Sequence, residues 1–351
     1  MCESEVYLRV RIDTMAVVNL PGRFVARWQA ERLVREGSAM ASTPDRAAGA
    51  EPVLRQALDR AREARSDHLV ASAGEELYQL LARLRRHEES VPLAAELLAA
   101  KGRWAGPDSE AAAAWRNELI RLLAQLGRHA EAEPHCRDRL ALARRARPPA
   151  PQTVGLALVT LAWCVRGQGR WDEAEALCRE ALDVLGSGAT RGSDGWALAG
   201  LAAVLLRRMA LEEAETALRG AATAWATVGR SELAYLAEEQ LLDVYVVAER
   251  HPEALALSAT TLGRSRRGAA VVDDRERQLR NLERHAFLLQ MAGQQAEAAR
   301  YEMRSEYLRR AIEAEPRRGD GSTLDLTGPV FDGEPLPDWQ LPGPAIAVRA
   351  C

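Results

Sequence analysis

The sequence predicts an all-α chain of helical hairpins stacked in a one-dimensional array, and three observations carry that prediction. Pro52, Pro92 and Pro134 stand 40 and 42 residues apart, each inside a run of helix formers. A proline there sits in a helix's first turns, where its missing N–H costs little. The segments LLAQLGRHAEAEPHC around Gly127 and CVRGQGRWDEAEALC around Gly169 repeat each other at a spacing of 42. Apolar residues recur with helical period over stretches of roughly 12 to 16 residues, each closed by glycine or a short polar turn. One such hairpin cannot bury its own apolar face, so stacking on neighbours is required.

Along the chain, residues 1–46 form a loosely defined N-terminal segment. It holds an alternating, strand-like run from Val6 to Ile12 and an amphipathic helix from Arg23 to Glu36, with Met15 and Met40 as alternative start positions. The repeated array occupies 47–315. Helices open at Ala50-Glu51-Pro52, Ser90-Val91-Pro92 and Ala132-Glu133-Pro134, and later ones at Glu213-Ala214, Glu253-Ala254 and Glu297-Ala298. Residues 148–151 and 186–195, rich in helix-stopping residues, are loops between repeats. The stretch 316–351 holds six of the 16 prolines and five of the 25 glycines and reads as an extended or disordered tail.

These segments resemble tetratricopeptide repeats, in the longer form of kinesin light chains. Repeats of 40 to 44 residues start near Ala71, Ala113, Gly155, Gly195, Tyr235 and Leu279. The pattern's leucine at position 7 matches Leu77, Leu119, Leu161, Leu201 and Leu241. Its small residue at position 8 matches Ala162, Ala202 and Ala286, and its alanine at position 20 matches Ala132, Ala174, Ala214, Ala254 and Ala298. Tyr78 and Ile120 are large for position 8, Ser90 replaces the alanine, and the glycine of position 15 is lost at Arg85, Met209 and Glu249. Those departures predict repeats that splay or pack irregularly. The resemblance implies a right-handed superhelical solenoid of about six to seven hairpins that binds a protein or peptide, without catalysis.

Composition narrows the function further. Of the 47 basic residues only Lys101 is a lysine, and the formal net charge is −3. The arginine excess reads as coding bias, with most arginines solvated on outer helix faces. No basic stretch of the kind a phosphate-neutralising protein carries is present, so nucleic acid is not an expected partner. Glu75, Glu76, Glu118, Glu239, Asp243 and Glu283, interspersed on the inner face, argue the same way. No 18-residue apolar run and no signal-peptide apolar stretch occurs, so neither membrane nor secretion is expected and the cytoplasm is the expected location.

Five cysteines, Cys2, Cys136, Cys164, Cys178 and Cys351, stand at no ligand-like spacing. Neither a disulfide framework nor zinc is expected, and the three central ones read as small core residues. His135 beside Cys136 is no catalytic pair, since adjacent helical residues point about 100° apart. The six histidines lack the i, i+4 pairing of a helical metal site, and phosphate-binding and nucleophile-elbow motifs are missing. No catalytic residue, metal or cofactor is expected.

In the tetratricopeptide pattern, positions 2, 5, 6, 9, 12 and 13 of each first helix line the concave face. They assign Leu156, Val159, Trp163 and Arg166, then Trp196, Leu206 and Arg207, flanked by Asn117 and Arg121 on one side and Asp243 on the other. Tryptophans and aliphatics beside arginines suit an apolar or aromatic anchor with an acidic neighbour, because the guanidinium fork holds both carboxylate oxygens. The alternative is that Trp163 and Trp196 pack against an adjacent repeat or the N-terminal segment. Residues 319–348 carry five acids and no base, and within them Asp338-Trp339 is similar to the tryptophan-acidic cargo motifs bound by kinesin-light-chain repeats, although Gln340 stands where a second acid is expected. The tail is thus a candidate ligand for the chain's own groove, at high local concentration. A rival reading makes the chain an accessory or carrier protein of an enzymatic pathway whose C-terminal Cys351 is recognised or modified. That cysteine is not a prenylation signal, since nothing follows it.

Overall fold

A computed structural model describes residues 22–43, 47–148, 150–186, 192–266 and 275–314. Among them lie fourteen helices and no strand. They are α1 (Gly22–Ala41), α2 (Ala47–Glu63), α3 (Asp67–Arg83), α4 (His87–Ala105), α5 (Glu110–Gln125), α6 (His129–Arg145) and α7 (Pro151–Gly167). The series continues with α8 (Trp171–Leu185), α9 (Ser193–Arg207), α10 (Leu211–Thr227), α11 (Ser231–Val247), α12 (His251–Arg266), α13 (Arg275–Met291) and α14 (Gln295–Ala314). The strand-like run at Val6 to Ile12 and the tail from Pro316 lie outside the described residues. The chain forms two compact units, Met1–His135 and Cys136–Cys351. In the first, α1 pairs with α2 and each helix up to α5 packs on the next; in the second, the same succession runs from α7 to α14.

The expected repeat phase coincides with the burial. Leu77, Leu119, Leu161, Leu201 and Leu241 are buried, and so are the alanines of positions 8 and 20. The departures, by contrast, do not loosen the repeats. Tyr78 and Ile120 are each 3% exposed. Ser90 is buried because its hydroxyl donates to the Arg86 carbonyl, 3.0 Å away, and so leaves no unsatisfied group.

The hairpin turns show the same economy of design. A residue in the left-handed region closes α5 at Gly127 (φ 69°) and α7 at Gly169 (φ 78°), where glycine adopts it without steric cost. Arg85, Met209 and Glu249 take up the same conformation with φ of 54°, 59° and 56°. Each turn then makes the same two backbone bonds. At Met209 they run from its N–H to the Leu206 carbonyl and from the Ala210 N–H to the Leu205 carbonyl, both 3.0 Å. This is the Schellman closure, which satisfies two helix-end carbonyls. Two hydrogen bonds outweigh the left-handed penalty, so loss of the glycine strains the backbone without splaying the hairpin.

The arginines are not merely solvated charge. In the first unit Arg55 reaches Glu89 at 2.8 Å, Arg86 reaches Glu51 at 2.7 Å and Arg62 reaches Glu96 at 2.5 Å. In the second, Arg137 meets Glu173 at 3.0 Å, Arg250 meets Glu215 at 2.5 Å, and Arg208 meets Asp172. Each partner lies about one repeat away in sequence, so the pairs staple successive hairpins across their outer surface. An exposed pair contributes only about 0.2–1 kcal/mol, and their number makes them count.

Candidate functional site

Helix α7 begins with Pro151 in its first turn and is apolar on every side, as VGLALVTLAWCV shows. A helix of that kind is buried all round. From Val154 to Val165 only Trp163 stays half-exposed, and Arg166 follows it. Helix α9 repeats the pattern: Gly195 to Leu205 are buried apart from Leu198, and the helix ends on half-buried Leu206 and exposed Arg207. Gly195 allows this packing, since a Cβ there would lie 2.6 Å from the Trp225 indole nitrogen.

Val159, Ala162, Trp163 and Arg166 of α7, Ala174 and Cys178 of α8, and Gly200 of α9 enclose a cleft of about 10 Å³. That is room for about one water molecule. Burial holds the Arg166 guanidinium below its usual pKa, with Cys178 acting the other way. Burial also pushes the Cys178 thiol up to about 12, against the lowering effect of Arg166. The thiol is therefore an inert core group, not a nucleophile.

Several expected groove residues are elsewhere. Leu156, Val159 and Trp196 are only 4%, 1% and 3% exposed. Trp196 stacks edge-on against Trp225, ring centres 5.1 Å apart, so it is part of the core. In the second unit Trp163, Arg166 and Leu206 stay half-buried and Arg207 is exposed. No ion pair among the described residues holds Arg207.

In the first unit Asn117 is half-buried and Arg121 is engaged internally. Its Nε donates to Glu118 Oε2 at 2.8 Å, its Nη2 to the Tyr78 hydroxyl at 3.2 Å, and its Nη1 to Gln125 at 2.9 Å. Tyr78 also donates to Glu118, and its ring stands edge-on to Trp115, 4.9 Å away. Burial works to raise the Glu118 pKa, but the Arg121 hydrogen bonds and charge, helped by Tyr78, hold it below the usual carboxylate range. The i, i+3 spacing of Glu118 and Arg121 was visible in sequence, yet the phenol that completes the network read only as an oversized residue.

On α11 of the second unit Asp243 is half-buried and paired with Arg284 at 2.8 Å. Burial raises its pKa, Arg284 opposes this and Glu239 adds to it. Glu239 itself accepts from Asn281 at 2.8 Å. Sequence reading assigned Asp243 but not Arg284 or Asn281, which come from the following repeat. Asp338, Trp339 and Cys351 lie outside the described residues. Among the described residues no group of three or more His, Cys, Asp or Glu side chains converges as a metal site, and no helix is long and apolar enough to cross a membrane.

Known proteins fit this geometry. The tetratricopeptide-repeat family model matches residues 110–187, which span α5 to α8. The solved structure of BtubC (BKLC) from P. vanneervenii is similar at a TM-score of 0.58 and 19% identity, covering 66% of this chain and 95% of that one. A putative kinesin light chain with nearly identical TPR-like repeats from Podosopora anserina gives 0.47 at 18% identity, over 57% of this chain and 96% of that one. The apo form of RapI gives 0.48 at 11% identity, over 82% and 99% respectively. No curated protein sequence matches the chain. Residues 110–187 match tetratricopeptide repeats, and the in-phase buried leucines and alanines, with the likeness to BtubC, give the described residues the fold of stacked tetratricopeptide-type hairpins.

Proposed function

We propose that the chain is a non-enzymatic, cytoplasmic scaffold or regulatory sensor. It binds a protein or peptide segment that presents an apolar or aromatic side chain next to an acid. The observation that carries this reading is the end of α7 and α9. Residues 154–165 and 195–205 are otherwise buried apart from Leu198, and over their last two turns the helices leave Trp163 and Leu206 half-buried, followed in sequence by half-buried Arg166 and exposed Arg207. Tryptophan and arginine are the residues that most often dominate binding energy, and an arginine fork matches a carboxylate.

The chain's own residues 316–351 are the first ligand to test, because their acidic stretch carries Asp338-Trp339. A labelled peptide of residues 328–345 is titrated into the chain truncated at residue 318. The expected result is saturable binding that weakens at least tenfold, about 1.4 kcal/mol, in Trp163→Ala with Arg207→Ala. Absence of binding, or binding unchanged by the two substitutions, removes the tail from the proposal. Affinity purification with the full chain then tests the wider reading: a partner set insensitive to those substitutions refutes this face as the docking site.

A further inference from the structure

The face between α6 and α7 holds chemistry that a structural core does not need. The Cys136 and Cys164 sulfurs lie 3.2 Å apart and both residues are fully buried. One turn along α6 from Cys136, Arg139 donates to the Thr160 hydroxyl at 3.0 Å. Thr160 lies one turn before Cys164 on α7, and its hydroxyl donates to the Leu156 carbonyl at 2.8 Å. Two thiols and a guanidinium are thus pinned together on facing helices. Burial lowers the Arg139 pKa, and Cys136 works against that.

We propose that Cys136 and Cys164 form a reversible disulfide when the protein meets a small hydroperoxide such as hydrogen peroxide. The sulfurs need to approach by only about 1 Å to reach the bond length near 2.05 Å. Full burial selects the oxidant, since a water-sized peroxide can enter through a local opening where a bulky disulfide reagent cannot. Cys136 sulfur attacks one peroxide oxygen, the O–O bond breaks, and the departing hydroxide takes up the thiol proton as water. The resulting sulfenic acid is then attacked by the Cys164 sulfur; the S–O bond breaks and a second water leaves. Two thiols lose two electrons, one peroxide gains them, and the products are one disulfide and two waters. A low-molecular-weight thiol reverses the bond by exchange. Cys178 takes no part, since it makes no sulfur contact and its thiol is held protonated. The bond forms one residue from Trp163 and so fixes the helix that carries this side chain.

The test uses the full, reduced chain exposed to a modest excess of hydrogen peroxide, followed by thiol alkylation and peptide mapping. The expected product is a Cys136–Cys164 linked peptide pair that a dithiol reductant abolishes. Cys136→Ser and Cys164→Ser lose it, and Cys178→Ser keeps it. The linked chain melts on the order of 5 °C higher, from the closed loop of about 28 residues and the entropy of unfolding. Met303, 68% exposed, reports that the oxidant was active. Oxidised Met303 with Cys136 and Cys164 still alkylated in the wild-type chain overturns the proposal, as does a link to Cys178 instead.

Discussion

Replacing Met209 and Glu249 with glycine should stabilise the protein, and the size of the gain follows from the backbone. Both residues sit in the left-handed region, at φ 59° and 56°, where the turn's two hydrogen bonds hold them. An L-residue loses about 1–2 kcal/mol there. Glycine removes that strain but gives back about 0.5–1 kcal/mol through the greater freedom of the unfolded chain. The net gain is about 0.5–1 kcal/mol per site. Met209 is 62% exposed, so little packing is lost with its side chain. The sites belong to different repeats, so their effects add, and the double variant gains about 1–2 kcal/mol. With an unfolding entropy of roughly 2.1 cal/mol/K per residue, its melting midpoint rises by about 2 °C. The reciprocal changes isolate the backbone. At Gly127 and Gly169 nothing lies within 4 Å of a built Cβ, so alanine there meets no neighbour and its cost comes from φ alone. Each should cost about 1–2 kcal/mol. Denaturant titration followed by far-ultraviolet circular dichroism measures all four. Glycine variants that melt at or below the wild-type midpoint, together with neutral alanine variants, would falsify the account of the turns.

Other substitutions probe the core, the buried charges and the staples. Gly195→Ala places a methyl group 2.6–2.9 Å from three atoms of the buried Trp225 ring, which should destabilise by about 1–3 kcal/mol; a stabilised variant would mean that the indole is free to move. Arg121→Met leaves the Glu118 carboxylate buried without its cation and should cost about 3–5 kcal/mol at neutral pH. In the wild-type chain Glu118 is held below its unfolded value of 4.5, so its stabilisation is complete above that pH and is lost as pH falls through the folded value. In the variant only the Tyr78 hydroxyl and the His87 charge still oppose burial, so the group rises from its wild-type position and the deficit shrinks as the solution is acidified; a pH-independent deficit refutes the assignment. Removing one outer staple, as in Arg62→Gln, should cost under about 1 kcal/mol, whereas raising the salt concentration to about 1 M weakens all of them together and lowers the midpoint. A midpoint that rises with sodium chloride would show that the staples contribute nothing net.

The amino-acid sequence by itself determined the helices, the hairpins and the repeat phase. These depend on propensity, on turn chemistry and on an apolar period, all set within one repeat of 40 to 44 residues. It also marked where the turns lie, although the left-handed conformation at Arg85, Met209 and Glu249 shows that glycine was sufficient there and not required. Only the tertiary structure decided which inward-facing positions stay open. Trp196 and Trp163 read alike in sequence, but an indole two helix lengths away, Trp225, covers the first, while the second keeps an exposed edge. Likewise Arg121 is captured by Glu118 and Tyr78, the latter from a helix 43 residues upstream, whereas Arg207 stays at the surface. The two central thiols looked like ordinary core residues until α6 and α7 brought their sulfurs into contact. A side chain's exposure is fixed by the neighbours that the stacked hairpins deliver to it, and that delivery is not encoded at its own position in the repeat.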